Sequence, residues 1–208
     1  MLGIATFIKT IISVILSFFL LHGISAATDQ DPADAAEAFM KGMSEQQEQT
    51  LEAYMDNEYV NFFVNVEGDA KATDRLRKNL FKNFSYEIED KEEKDGLAVV
   101  KFKIKGNDFS RVMEEYEENS YDYVTENLYE EEVEDKEKLR AKCLELYVDE
   151  IEEEAGDGKV KESTVYLPLK TDEHGNWKVL LSDEIMKQLL GNIALPEGVI
   201  EEETEKKQ

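Results

Sequence analysis

The sharpest pattern in the chain lies between positions 161 and 181, where apolar residues recur at every second position. Val165, Leu167 and Leu169 alternate with Thr164, Tyr166 and Pro168, and Trp177, Val179 and Leu181 resume the alternation after residues 171–176. A period of two puts one face of a strand against a core. Gly175-Asn176 supplies residues that tolerate positive φ, as a hairpin connection needs. The spacing therefore predicts two strands joined by a tight turn, with Trp177 on the buried face.

A second hairpin is predicted upstream. Phe84, Tyr86 and Ile88 alternate with Ser85, Glu87 and Glu89. Ala98, Val100, Phe102 and Ile104 face one way and Lys101, Lys103 and Lys105 the other. A charged loop over residues 90–96, ending in Asp95-Gly96, is expected to join them.

Elsewhere the period is helical. Asp31-Pro32 is a start signal, N-cap followed by Pro at N1, with Asp34 in the first turn. Ala35, Ala36, Phe39, Met40 and Met43 form the apolar stripe, and Gly42 is expected to weaken the helix near its end. Ser44-Glu45-Gln46-Gln47 has the form of a capping box, so a second helix is predicted from there, with Leu51, Tyr54 and Met55 on its apolar face and Asp56-Asn57 as its break. Residues 58–66 fit either a short helix or a strand, the helix being preferred. Glu67-Gly68-Asp69 reads as a turn. A helix from Thr73 or Asp74 to Lys82 is predicted to turn Leu76, Leu80 and Phe81 inward.

Asn107-Asp108 is expected to cap the longest helical region. Phe109, Val112, Met113, Tyr116, Tyr123 and Val124 are helically spaced; residues 130–134 interrupt; Leu139, Cys143, Leu146, Tyr147 and Ile151 continue the stripe to Gly156-Asp157-Gly158. Ser182-Asp183-Glu184 caps a short helix carrying Ile185, Met186, Leu189 and Leu190, ended by Gly191. The fold class expected is α+β: N-terminal helices and a long acidic helical insertion, about residues 107–155, packed on a curved antiparallel sheet of about four strands. Residues 28–195 are expected to form a single domain and residues 196–208 a disordered acidic tail.

Composition changes this picture in three ways. Residues 1–27 hold Lys9 as their one charge, then an apolar run from Ile11 to Leu21 and the small residues Ser25-Ala26-Ala27. That is the layout of a secretory signal peptide cleaved after Ala26 or Ala27, so export is expected, to the cell envelope or the medium. An uncleaved anchor would need roughly 18 or more apolar residues, and His22-Gly23 interrupts this run. No cysteine follows it for lipid attachment. Beyond position 27 there are 23 basic and 48 acidic residues, a net charge of −25. Such a chain repels a phosphate backbone and an anionic membrane surface alike. Residues 107–155 alone hold 19 acidic and 5 basic residues, read as the wet face of amphipathic helices. Finally, Cys143 is the sole cysteine. No disulfide can form within the chain, and Cys143 on the stripe reads as a small buried hydrophobe.

The chemistry offered is sparse. Beyond residue 27 the one histidine is His174, at a turn tip where a base is poorly preorganised. His174 and Cys143 cannot assemble a zinc site. There is no glycine-rich phosphate loop and no EF-hand spacing. No catalytic residue, metal ligand or cofactor site is assigned, and no ligand-binding residue is singled out.

Residues 33–55 (ADAAEAFMKGMSEQQEQTLEAYM), 84–88 (FSYEI), 96–105 (GLAVVKFKIK), 165–169, 175–179 (GNWKV) and 189–193 (LLGNI) together, in this order, resemble uncharacterised extracytoplasmic domains of Gram-positive bacteria. These have a cystatin-like or nuclear-transport-factor-2-like (NTF2-like) fold and include the domains of unknown function 4878 and 5105. The resemblance covers nearly all of residues 28–195. It implies a curved sheet around a long N-terminal helix and implies no activity. Many relatives are lipoproteins, and this chain departs from them in lacking the lipid-attachment cysteine.

Three function classes follow. The first is a non-enzymatic binding or interaction module outside the cytoplasm, for a protein, a peptide or a small apolar ligand. It would bind through a groove between helices and sheet or through the acidic helices. The second is an enzyme of isomerase or dehydratase type on the same broad fold, which would need an inward carboxylate beside a tyrosine such as Tyr54, Tyr86 or Tyr166. The third is a weak cation-binding acidic protein of the envelope.

Overall fold

The structure is a computed structural model and describes residues 30–55 and 70–194. The expected signal segment, the stretch 56–69 and the acidic tail lie outside the described residues. In chain order the elements are α1 (Pro32–Ser44), α2 (Glu48–Tyr54), α3 (Ala70–Leu80), β1 (Ser85–Lys94), β2 (Leu97–Asn107), α4 (Val112–Glu126), α5 (Glu131–Glu134), α6 (Lys136–Asp157), β3 (Val160–Thr171), β4 (Trp177–Val179) and α7 (Asp183–Leu189). The four strands form one open antiparallel sheet in the order β1-β2-β3-β4. The α+β class read from periodicity is the class observed.

The turn chemistry explains both hairpins. Asp95 (φ 53°) and Gly96 (φ 73°) make a two-residue connection with both positions left-handed, the geometry that matches strand twist. Strand β1 therefore runs on to Lys94, through the stretch expected to be a charged loop. As an edge strand it needs no apolar alternation there, and its charges blunt the open edge. Between β3 and β4, Asp172 organises the turn. Its Oδ1 accepts from the backbone N–H groups of His174 and Asn176, both at 2.9 Å. Gly175 alone takes positive φ (83°). The register pairs Leu169 with Val179 and Thr171 with Trp177.

The chain divides into two compact units. The first comprises the described parts of Met1–Val60, with Tyr86–Ile104 and Thr164–Ile185. In it α1 packs on α2, and both touch β4. Asp31 caps α1 as expected, accepting from Ala33 N–H at 2.8 Å. Phe39, Met40, Phe102, Val165, Leu167 and Trp177 are fully buried, each contributing about 1.5–3 kcal/mol or more of transfer free energy. Gly42 lies two residues before the end of α1 and lets α2 approach, because a Cβ there would meet Thr50 Cγ2 at 2.8 Å. The capping box at Ser44 does not form. Ser44 ends α1 and its hydroxyl donates to the Lys41 carbonyl, while Gln46 turns the chain at φ 56° and Gln47 precedes α2.

The second unit comprises the described parts of Asn61–Ser85, Lys105–Ser163 and Met186–Gln208. In it α6 packs on α3, α4 and α5. Helix α3 starts at Ala70, earlier than expected, and ends at Leu80, leaving Phe81 half-buried. Asn107 is no helix cap. It is the buried end of β2, accepting from Asn83 Nδ2 at 2.8 Å and lying under Asn79. Tertiary hydrogen bonds thus claim the side chain that capping would use, and the helix begins only at Val112. Gly158 ends α6 at φ 66°, as its sequence signal requires. Ser182 Oγ accepts from Ile185 N–H at 3.3 Å, forming the cap expected at α7.

Candidate interaction surface

In the first unit Tyr54, Tyr86 and Tyr166 are each half-buried. The Tyr54 hydroxyl accepts from Gln30 Nε2 at 3.4 Å. The Tyr86 ring stands edge-on to Phe102 at 6.0 Å, and burial, with Glu37 and Glu45 adding, pushes its hydroxyl pKa up. His174 is 74% exposed at its turn, 3.6 Å from Glu173. Among the described residues no three His, Cys, Asp or Glu side chains come together as a metal ion would need.

The second unit is organised around α6. Its inward face carries Tyr147, Val148, Ile151 and Ala155, and with them Glu150 and Glu154, each only 8% exposed. This departs from the reading of the acidic run as a wet face. Asn119 on α4 donates to Glu150 Oε1 at 2.6 Å, which satisfies one oxygen. Burial nonetheless raises the Glu150 pKa; the Asn119 hydrogen bond opposes the rise, and Glu115, Glu153 and Asp149 add to it. On the other flank Arg75 of α3 bonds Asp149 at 2.6 Å and also holds Glu152. Helix α3 holds four basic residues and one acidic, so this contact sets a basic helix against the acidic α6.

An aromatic layer closes the α4–α6 contact. Tyr116 and Tyr147 meet edge-to-face at 5.5 Å, and the Tyr147 hydroxyl donates to the Ala194 carbonyl at 2.8 Å. Burial, with Cys143 alongside, pushes the Tyr116 pKa up to about 12, and burial raises that of Tyr147. Both phenols are therefore neutral at physiological pH and serve packing. Cys143 is half-buried here, less enclosed than the stripe suggested. Lys142 Nζ lies 5.6 Å from the centre of the Tyr123 ring, a cation over a tyrosine face.

What the helical stripe did not identify is the end of this pair. Tyr121 is 71% exposed, Leu128 53% and Tyr129 92%. Among the described residues they are three of the four large hydrophobic side chains left exposed. All three fall within the segment 121–129, at the end of α4 and in the turn before α5. Isolated exposed apolar side chains need no explanation, but three within nine residues of chain make this end a candidate interaction site. The sequence did hold a signal: within residues 121–129, Tyr121, Leu128 and Tyr129 are the apolar residues that fall outside the two helical stripes. Around them Glu118, Asp122, Glu126 and Glu130 are exposed. From Val112 to Asp135 the chain holds eleven acidic residues and no Lys or Arg.

No helix among the described residues is long and apolar enough to cross a membrane. No family model and no curated protein matches the sequence. Among solved structures, the inferred lipoprotein ycdA of Bacillus subtilis subsp. subtilis str. 168 is similar in part. It shows 18% identity and a TM-score of 0.38, over 79% of this chain and 47% of that chain. The match thus spans about half of that protein's length.

Proposed function

We propose that this chain is a non-enzymatic interaction module that works outside the cytoplasm and engages another protein through the α4–α5 end of its acidic helical pair. The observation that carries this reading is the exposed trio Tyr121, Leu128 and Tyr129. Export is proposed from the apolar run and small residues before position 28, and the NTF2-like or cystatin-like family from the ordered segments quoted above. The side chains available to line a groove in the first unit are buried against one another, which favours the helical surface as the place of recognition. A binding role is preferred to catalysis because the sequence offers a single histidine and a single cysteine beyond residue 27 from which to build a nucleophile–base pair.

A photo-crosslinking amino acid placed at position 129, and separately at position 174, tests the site in envelope extracts. The expected result is one crosslinked protein from position 129, none from 174, and loss of the product when Glu130, Glu131 and Glu132 are changed to Gln. Equal yields from both positions, or a product indifferent to the three Gln changes, would remove the surface from consideration.

A further inference from the structure

The chemistry of the α4–α5 end specifies its partner more narrowly. We infer that it docks a cationic segment of another protein, rich in Arg or Lys and carrying large apolar side chains. This rests on the proposed location of binding and adds the identity of what binds.

Charge supplies the first argument. Over residues 112–135 no Lys or Arg stands among eleven acidic residues. Arg111 pairs with Glu115 at the first turn of α4, at the opposite end of that helix from Leu128 and Tyr129, and on α6 Asp149, Glu152 and Glu145 are each paired with Arg75 or Lys142. Such an excess of carboxylates on one stretch makes a negative field that steers cations and repels anions. A second copy of the chain, itself at net −24, is repelled, as are nucleic acid and anionic lipid.

The exposed side chains supply the second argument. A charge cluster by itself would collect small cations without selectivity. Tyr121, Leu128 and Tyr129 add a surface that gains only when something apolar covers it, and tyrosine faces also attract guanidinium and ammonium groups. The fold already places Lys142 over Tyr123 in the same helical pair. Tyrosine is moreover a residue type that carries binding energy with little ordering cost. A segment presenting both positive charge and apolar bulk uses the two features at once.

Isothermal titration calorimetry of the full chain with three short synthetic peptides tests the inference. One peptide alternates Arg and Leu, one Arg and Ser, one Glu and Leu. The Arg/Leu peptide should bind, the Arg/Ser peptide about tenfold more weakly, and the Glu/Leu peptide not at all. A triple variant, Tyr121→Ser, Leu128→Ser and Tyr129→Ser, should weaken Arg/Leu binding at least about tenfold and Arg/Ser binding by less, the smaller loss being that of the tyrosine–guanidinium contact. These side chains are exposed, so circular dichroism of the variant should match the parent. Equal binding of both Arg peptides, indifferent to the triple variant, would show a counterion atmosphere only and overturn the inference. So would no binding of the Arg/Leu peptide, or a dimer seen by sedimentation that the triple variant dissolves. A crosslink from position 129 that persists while no cationic peptide binds would preserve the location and reject the partner chemistry.

Discussion

Trp177 heads the fully buried side chains by volume, and its indole N–H donates to the Gln30 carbonyl at 2.8 Å. Trp177→Ala should cost roughly 3–5 kcal/mol, through lost transfer energy and the cavity left behind. Urea denaturation measures this, and a loss under about 1 kcal/mol would contradict core placement. Gly42 offers a subtler case. Alanine at a helix interior normally stabilises by about 1 kcal/mol over glycine, but here its Cβ would sit 2.8 Å from Thr50 Cγ2. Gly42→Ala should therefore destabilise by about 1–3 kcal/mol. Thr50→Ser removes the offending methyl and keeps the hydroxyl that donates to Gln47 Oε1 at 3.1 Å. In the double variant most of the loss should return. A double-mutant cycle that is additive would show that the close approach does not set the stability of the α1–α2 contact.

At the scale of elements, α6 shows how a helix with six carboxylates between Asp149 and Asp157 still packs. Arg75 neutralises one flank and Asn119 satisfies Glu150, yet Glu150 keeps a raised pKa because burial disfavours its charge. A carboxyl whose folded pKa lies above its unfolded value binds its proton more tightly when folded. Stability therefore falls as pH rises through the window that begins at the ordinary glutamate value of 4.5. Glu150→Gln keeps the oxygen that Asn119 bonds and removes the charge. It should raise Tm at pH 7, and the gain should shrink as pH falls through the carboxylate range. A variant less stable than the parent at pH 7 would mean that the ionised form is the one the fold favours.

Across the whole molecule the governing quantity is a net charge of −24. Exposed like charges repel and added ions screen them over about 8–10 Å at physiological ionic strength. Melting temperature should rise along a sodium chloride series. Each 1 kcal/mol of relieved repulsion corresponds to about 2–4 °C in a chain of this size. A flat or falling series would mean that the ion pairs at Arg75, Lys101 and Lys142 outweigh the general repulsion. Export is checked by intact-mass analysis of secreted material. A mass beginning after Ala26 or Ala27 is expected, and a chain still carrying Met1 and held in the membrane would overturn it.

The sequence by itself determined those features that depend on near neighbours. Alternation over 84–88, 97–105 and 165–179 placed four strands and the buried face of Trp177, because strand pleat translates residue order directly into sidedness. Asp31-Pro32, Asp95-Gly96, Gly158 and Ser182 marked helix ends and turns, because caps and left-handed positions are satisfied within a few residues. Tertiary structure decided whatever needed a distant partner. The packing role of Gly42 was invisible until Thr50, eight residues on, occupied the space beside it. Asn107 looked like a cap until Asn79 and Asn83 took its side chain. The charged stretch after Ile88 became strand because it lies at the sheet edge, where solvent accepts its charges. Glu150 and Glu154 were indistinguishable from the other carboxylates of residues 107–155 until helix packing buried them. The packing of α4 on α6 likewise covered Tyr116 and left Tyr121, Leu128 and Tyr129 in solvent. Exposure is a property of what packs alongside a residue, and residue order alone does not carry it.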